Sequence, residues 1–271
     1  MSYASILVYT DGNQASDNRV RLATELAAQF RASLIGMAAC VPRPPVAADM
    51  IASEIENELN ALSTDLAEKE KKFFAVAAQP DRKAEWRASH KLPNEAIAEE
   101  ARGADLIIIG REQKPHDPFR SVDPGAVILR AGRPVMVAPS WVDSSIKKKV
   151  LIAWQDSREA RRAVRDCLPF LDKADEILLT QVCEQDEAES AKAAVHEVAK
   201  YLSRHRISVD AGIMLKAGGG VADELIRVAE VEKVDLIVAG AYGHSRLGEW
   251  VFGGVTRELL ARSPVCCLFS H

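Results

Sequence analysis

VDLIVAGAYGHSRLGEWVFGGVTRELLARSPV, Val234 to Val265, is the stretch whose reading decides the fold, because an altered copy of it stands earlier in the chain. Asp105 aligns with Asp235, Gly110 with Gly240 and Pro134 with Pro264, each pair 130 positions apart (235 − 105, 240 − 110, 264 − 134). One architecture is therefore written twice. The later copy carries Gly240, Gly243, Gly253 and Gly254, whereas the earlier keeps only Gly110 and has Gln113, Asp123 and Pro124 at the other three places.

Outward from this stretch, each half repeats one order of elements. Each opens with a short apolar run, Ile6 to Thr10 and Val150 to Trp154, that reads as a buried strand leading into a helix. In the first helix Val20, Ala23, Ala27 and Phe30 recur at helical spacing; in the second half Ser157 is the predicted N-cap of a helix through Ala160, Val164 and Leu168, ending near Pro169. Second strands follow at Ser33 to Cys40 and Glu176 to Cys183, and third strands near Ala84 to Ala88 and Val209 to Leu215. Between them the halves differ most: Ile51, Ile55, Leu59, Leu62 and Leu66 mark a long amphipathic helix, and Ala191, Val195, Val198 and Leu202 a shorter one. Each half closes as strand, long loop, helix and strand. Alternating strands and helices predict parallel sheets covered on both faces, with ligands outside the carboxyl ends of the strands where their order reverses. The expected domains are 1–143 and 147–271, each with a five-stranded parallel sheet, joined by the polar linker Ser140 to Lys149.

Composition bounds the partners. The 271 residues and hydrophobic fraction of 48% suit two buried cores. A net charge of −4 without a basic stripe argues against nucleic acid or an anionic membrane as partner. No apolar run approaches the ~20 residues that span a bilayer, and MSYASILVYTDG lacks a signal-peptide pattern, so the expected location is the cytoplasm. Five cysteines without CxxC spacing suggest neither a disulfide framework nor a zinc site. Cys266 and Cys267, neighbours on a predicted strand, are expected to face opposite sides as small core residues.

The glycine loop joins a strand end to a helix start. A helix N-terminus offers unsatisfied N–H groups and about half a positive charge, so an anion is stabilised there. Gly253, Gly254 and Val255 offer consecutive N–H groups, Thr256 a hydroxyl, and His244, Ser245 and Arg246 lie between the paired glycines as further phosphate contacts. In the first half Asp123 sets a negative charge where Gly253 stands, and Pro124 removes the N–H that Gly254 supplies. Only the second copy is expected to hold polyphosphate. Each of these residues has a plainer reading as well: glycines serve turns, Arg246 and His244 suit a solvated loop, and Trp154 suits an aromatic capping the sheet.

The pattern GxxG, nine residues, then G and a small residue, seen as GAYGHSRLGEWVFGG, resembles the nucleotide-binding signature of the universal stress protein family, and VLIAWQDSREA looks like that family's first strand and turn. The resemblance covers nearly the whole chain as a tandem pair. It implies α/β, flavodoxin-like, doubly wound domains, with ATP or AMP bound in the second: adenine near the first and third strand ends, phosphates on Gly240, Gly243, Gly253 and Gly254. Two departures stand out. Where the family often has an acid for the ribose hydroxyls, Asp11 stands in the first half but Gln155 in the second, followed by Asp156; and Gly254 replaces the usual hydroxyl residue. The loop Ala217 to Gly220, including Gly218, is expected at the adenine and ribose end, or as a flexible turn.

No GxSxG, HExxH, Walker or GxGxxG pattern occurs, so no catalytic or metal-ligating residue is predicted. The leading expectation is a stress-response regulatory protein that binds an adenine nucleotide, pairs as a homodimer and acts through a protein partner. The alternatives are slow ATP hydrolysis with Mg²⁺, assisted by His244 or Asp156, and a nucleotide-free scaffold closed by Trp250 or Phe252.

Overall fold

The computed structural model describes residues 2–43, 52–77, 84–111, 117–142, 148–243 and 254–271. The first half runs β1 (Ser5–Tyr9), α1 (Gln14–Phe30), β2 (Ser33–Ala39), α2 (Ala52–Ala77), β3 (Ala84–Ser89), α3 (Pro93–Glu100), β4 (Leu106–Gly110), α4 (Pro124–Ala131) and β5 (Val135–Ala138). The second runs β6 (Lys149–Ala153), α5 (Arg158–Asp166), α6 (Leu168–Leu171), β7 (Glu176–Cys183), α7 (Ala188–Arg204), β8 (Asp210–Leu215), α8 (Val221–Val231), β9 (Leu236–Gly240), α9 (Gly254–Arg262) and β10 (Cys266–Ser270).

All ten strands form one sheet in the order β3-β2-β1-β4-β5-β10-β9-β6-β7-β8. Within each half every pairing is parallel, so each is a five-stranded doubly wound unit. Where the sequence suggested one sheet per half, the last strands of the two halves join: β5 and β10 pair antiparallel, Val135 opposite Phe269 and Val137 opposite Cys267. The reason lies in their side chains. All residues of both strands are buried, and such an edge left open would expose apolar surface beside unpaired N–H and C=O groups.

Local chemistry sets the helix ends. Asn13 and Ser157 occupy equivalent N-caps, and their side chains accept from the backbone N–H of Ser16 and Ala160. The helix expected to run through Leu168 instead ends at Asp166, and α6 restarts with Pro169 in its first turn, where a missing N–H is tolerated. In α2 the amphipathic pattern continues to Ala77, well beyond Leu66.

Two apolar layers cover the sheet. Cys266 belongs to one and Cys267 to the other, as strand alternation demands. Across the seam between halves, the rings of Tyr3, Phe30 and Phe170 meet edge to face with centroids 5.1 to 5.5 Å apart. The Tyr3 hydroxyl donates to the carbonyl of Asp166 in the other half. Strand order reverses between β1 and β4 and again between β6 and β9, placing one crevice in each half.

Candidate functional site

The crevice of the second half has a base-sized interior of about 120 Å³. That is smaller than the roughly 300–1,000 Å³ of most small-molecule sites, so a nucleotide seated by its ring would extend beyond it. Its apolar end is built by Ala153 and Trp154 from the end of β6, Thr180 and Val182 from β7, and Val221 and Leu225 from α8. Its polar end is built by Gln155, Gly240, Gly243, Gly254, Val255 and Thr256. Six of the residues predicted from the sequence therefore converge on one space.

The others divide. Asp156 is exposed, paired with Arg161, and does not line the crevice. Gly218 is exposed in an open turn at φ +71, away from the lining, which fits the turn reading of that loop. His244, Ser245, Arg246 and Gly253, with Trp250 and Phe252, lie outside the described residues.

Gly240 has a structural reason to be glycine. A Cβ there would collide with the backbone of α5, striking the Ala160 nitrogen and standing 2.7 Å from the Glu159 carbonyl carbon, so α5 packs directly on the end of β9. Gly243 lies over Glu159 and Ser157: an added Cβ would stand 3.1 Å from Glu159 Oε2 and 3.4 Å from Ser157 Oγ. At Gly254, the first residue of α9, an added Cβ would meet no described residue within 4 Å. Thr256 is buried, and its hydroxyl accepts from the Tyr242 N–H at 3.4 Å, so it braces the start of the glycine loop.

Three residues escaped the sequence reading. Glu159, in the first turn of α5, reads as a surface acid but is 1% exposed, with its Oε2 beneath Gly243 and without a hydrogen-bond partner among the described residues. Burial pushes its carboxyl up, yet the ion pair with Arg158 and neighbouring hydrogen bonds outweigh it and hold the carboxyl below its ordinary value. Tyr242 adopts the left-handed conformation at φ +57, uncommon for any residue but glycine. Burial, then the Asp123 carboxylate, raises its phenol to about 12.

Arg19 is the third, and it accounts for the first half. It is 3% exposed, its Nε donates to the Tyr9 carbonyl and its Nη2 to Ser16 Oγ, both at 2.9 Å, and Asp11 lies 3.6 Å away. Its guanidinium fills the space beside Gly110, between the ends of β1 and β4, where a Cβ would strike it. The matching position of the second half is Ala163, one of the small residues that let α5 approach β9. Asp123 is the N-cap of α4 and accepts from the Gly125 N–H at 2.9 Å, with Pro124 at the first helical position. The helix end that would receive an anion is thus capped from within the chain.

Reactive chemistry is sparse in the described residues. Burial raises the thiols of Cys266 and Cys267, the latter to about 11, which keeps both protonated at neutral pH. Among the described residues no group of three or more His, Cys, Asp or Glu side chains is placed to hold a metal ion, and no helix is long and apolar enough to cross a membrane.

The sequence model described as universal stress protein family matches residues 2–139 and 147–270. Among solved structures the chain is similar to a universal stress protein from Archaeoglobus fulgidus DSM 4304, with TM-score 0.72, 18% identity and 97% of each chain covered. It is also similar to a functionally unknown protein, PA1789, from Pseudomonas aeruginosa PAO1, with TM-score 0.61, 16% identity, and 98% of this chain and 92% of that one covered. A third structure, the universal stress protein from Archaeoglobus fulgidus in complex with dAMP, covers 51% of this chain and 98% of its own at 22% identity and TM-score 0.29. No curated protein matched.

Proposed function

The chain belongs to the universal stress protein family, and we propose that it is a stress-response regulatory protein whose second half binds one adenine nucleotide while its first half acts as a structural partner. The observation that carries this reading is the contrast at the two switch points. In the second half Gly240, Gly243, Gly254 and Thr256 surround a base-sized crevice; in the first, the Arg19 guanidinium fills the space beside Gly110 and Asp123 caps the start of α4. Adenine fits against Trp154, Thr180, Val182 and Val221, and Gly240 and Gly243 lead its phosphates toward the N-terminal end of α9. Gln155 stands beside the ribose as a neutral hydrogen-bonding group where the family often has an acid.

The buried Glu159 carboxylate beneath Gly243 opposes accumulated negative charge, so AMP is favoured over ATP in the absence of a divalent cation. Mass spectrometry of the small molecules released from protein purified without added nucleotide, together with equilibrium titration of AMP and ATP, tests the proposal. An adenine nucleotide in the released fraction and saturable binding support it; no binding of either at millimolar concentration sinks it.

A further inference from the structure

The seam between the halves holds a second space that the nucleotide reading does not use. A cleft of about 750 Å³ lies between the start of α4 and the length of α9, walled by Arg111, Asp123, Gly125, Tyr242, Arg257 and Arg262. This volume is within the range of small-molecule sites, which favour domain interfaces. Its charges are unequally matched. Asp123 is engaged as the cap of α4, and Arg262 pairs with both Asp223 and Glu258. Among the described residues, neither Arg111 nor Arg257 forms an ion pair with a carboxylate.

Arg111 is the more telling of the two. It is half-buried, lies 5.0 Å over the Trp141 ring, and its Nη1 donates to the Ala261 carbonyl at 3.4 Å. Burial is the largest influence on its pKa and lowers it. A guanidinium withdrawn from water with no carboxylate partner among the described residues is costly, and an anion in the cleft offsets that cost. Tyr242 adds a second sign of a built site: it holds its left-handed backbone with its hydroxyl against Gly125, where a Cβ would stand 2.5 Å away. Backbone strain of this kind clusters at ligand sites.

We propose that this cleft binds a small organic anion bearing phosphate or carboxylate groups, held by Arg111 of the first half and Arg257 of the second. The guanidinium fork serves both groups. Such a ligand touches both halves at once, in a space next to the second-half crevice with Tyr242 lining both.

Calorimetric titration of the full chain with inorganic pyrophosphate, and separately with citrate, tests the site with AMP present in excess to occupy the crevice. The expected result is saturable binding of at least one probe, weakened about tenfold by Arg257→Gln and further by Arg111→Gln, as loss of charge-assisted hydrogen bonds predicts. Preference for pyrophosphate identifies a phosphate ligand and preference for citrate a carboxylate. Arg257 is exposed, so its variant keeps the wild-type melting midpoint, and Arg257→Lys retains part of the affinity. Binding of neither probe at millimolar concentration, or an affinity unchanged in Arg257→Gln, overturns the proposal.

Discussion

Two glycines of the same loop differ in what they are for, and substitution separates them. Gly240 is closed in by the backbone of α5, which cannot yield as a side chain would. Gly240→Ala is expected to destabilise the chain by about 1–3 kcal/mol, as overpacking does, read as a lower urea midpoint at unchanged slope. Around Gly254 no described residue comes within 4 Å of an added Cβ, so the same measurement on Gly254→Ala should show no loss. A third residue makes a prediction about pH. Burial raises the Asp166 carboxyl above its ordinary 3.8, although Ser270 Oγ donates to its Oδ2 at 2.8 Å. A carboxyl raised in the folded state contributes stability at low pH that is lost as pH climbs through the folded value. Asp166→Asn keeps an oxygen for Ser270 and cannot ionise, so it should gain stability over the wild type as pH rises from 3 to 7. A difference that stays constant across that range contradicts this account.

At the scale of the element, caps and close packing divide the site from its altered copy. Ser157 starts α5 in the position where Asn13 starts α1, and Ser157→Ala should cost about 0.5–2 kcal/mol. This order of elements was legible in the sequence because buried strands and amphipathic helices write their periods directly. The helix boundary at Asp166 was not, since Pro169 is compatible both with ending a helix and with opening the next turn. The lining of the crevice was legible in its glycines and in Gln155, Val255 and Thr256 beside them. Arg19 and Glu159 sit on helices at spacings that suit a solvated face, and their burial depends on how closely each helix approaches its strand, which no local pattern encodes. Tyr242 was likewise hidden, because nothing in its neighbours announces a left-handed tyrosine.

For the whole molecule, pairing of β5 with β10 makes one ten-stranded sheet from two doubly wound halves, and the Tyr3, Phe30 and Phe170 cluster closes the seam behind it. The halves should therefore unfold together. Phe170→Ala is expected to remove about 3–5 kcal/mol and shift a single transition; two separate transitions in the wild-type chain would contradict the shared core. Two halves with one fold but unequal crevices give the central claim, one nucleotide per chain, held in the second half. Calorimetric titration with AMP of the wild type beside Gly254→Pro, which copies Pro124, tests it most directly, because proline is tolerated at a first helical position while its missing N–H is lost to the phosphate. The account predicts one site per chain in the wild type and an affinity weakened about tenfold or more in the variant; two sites per chain, or full affinity in Gly254→Pro, would contradict it.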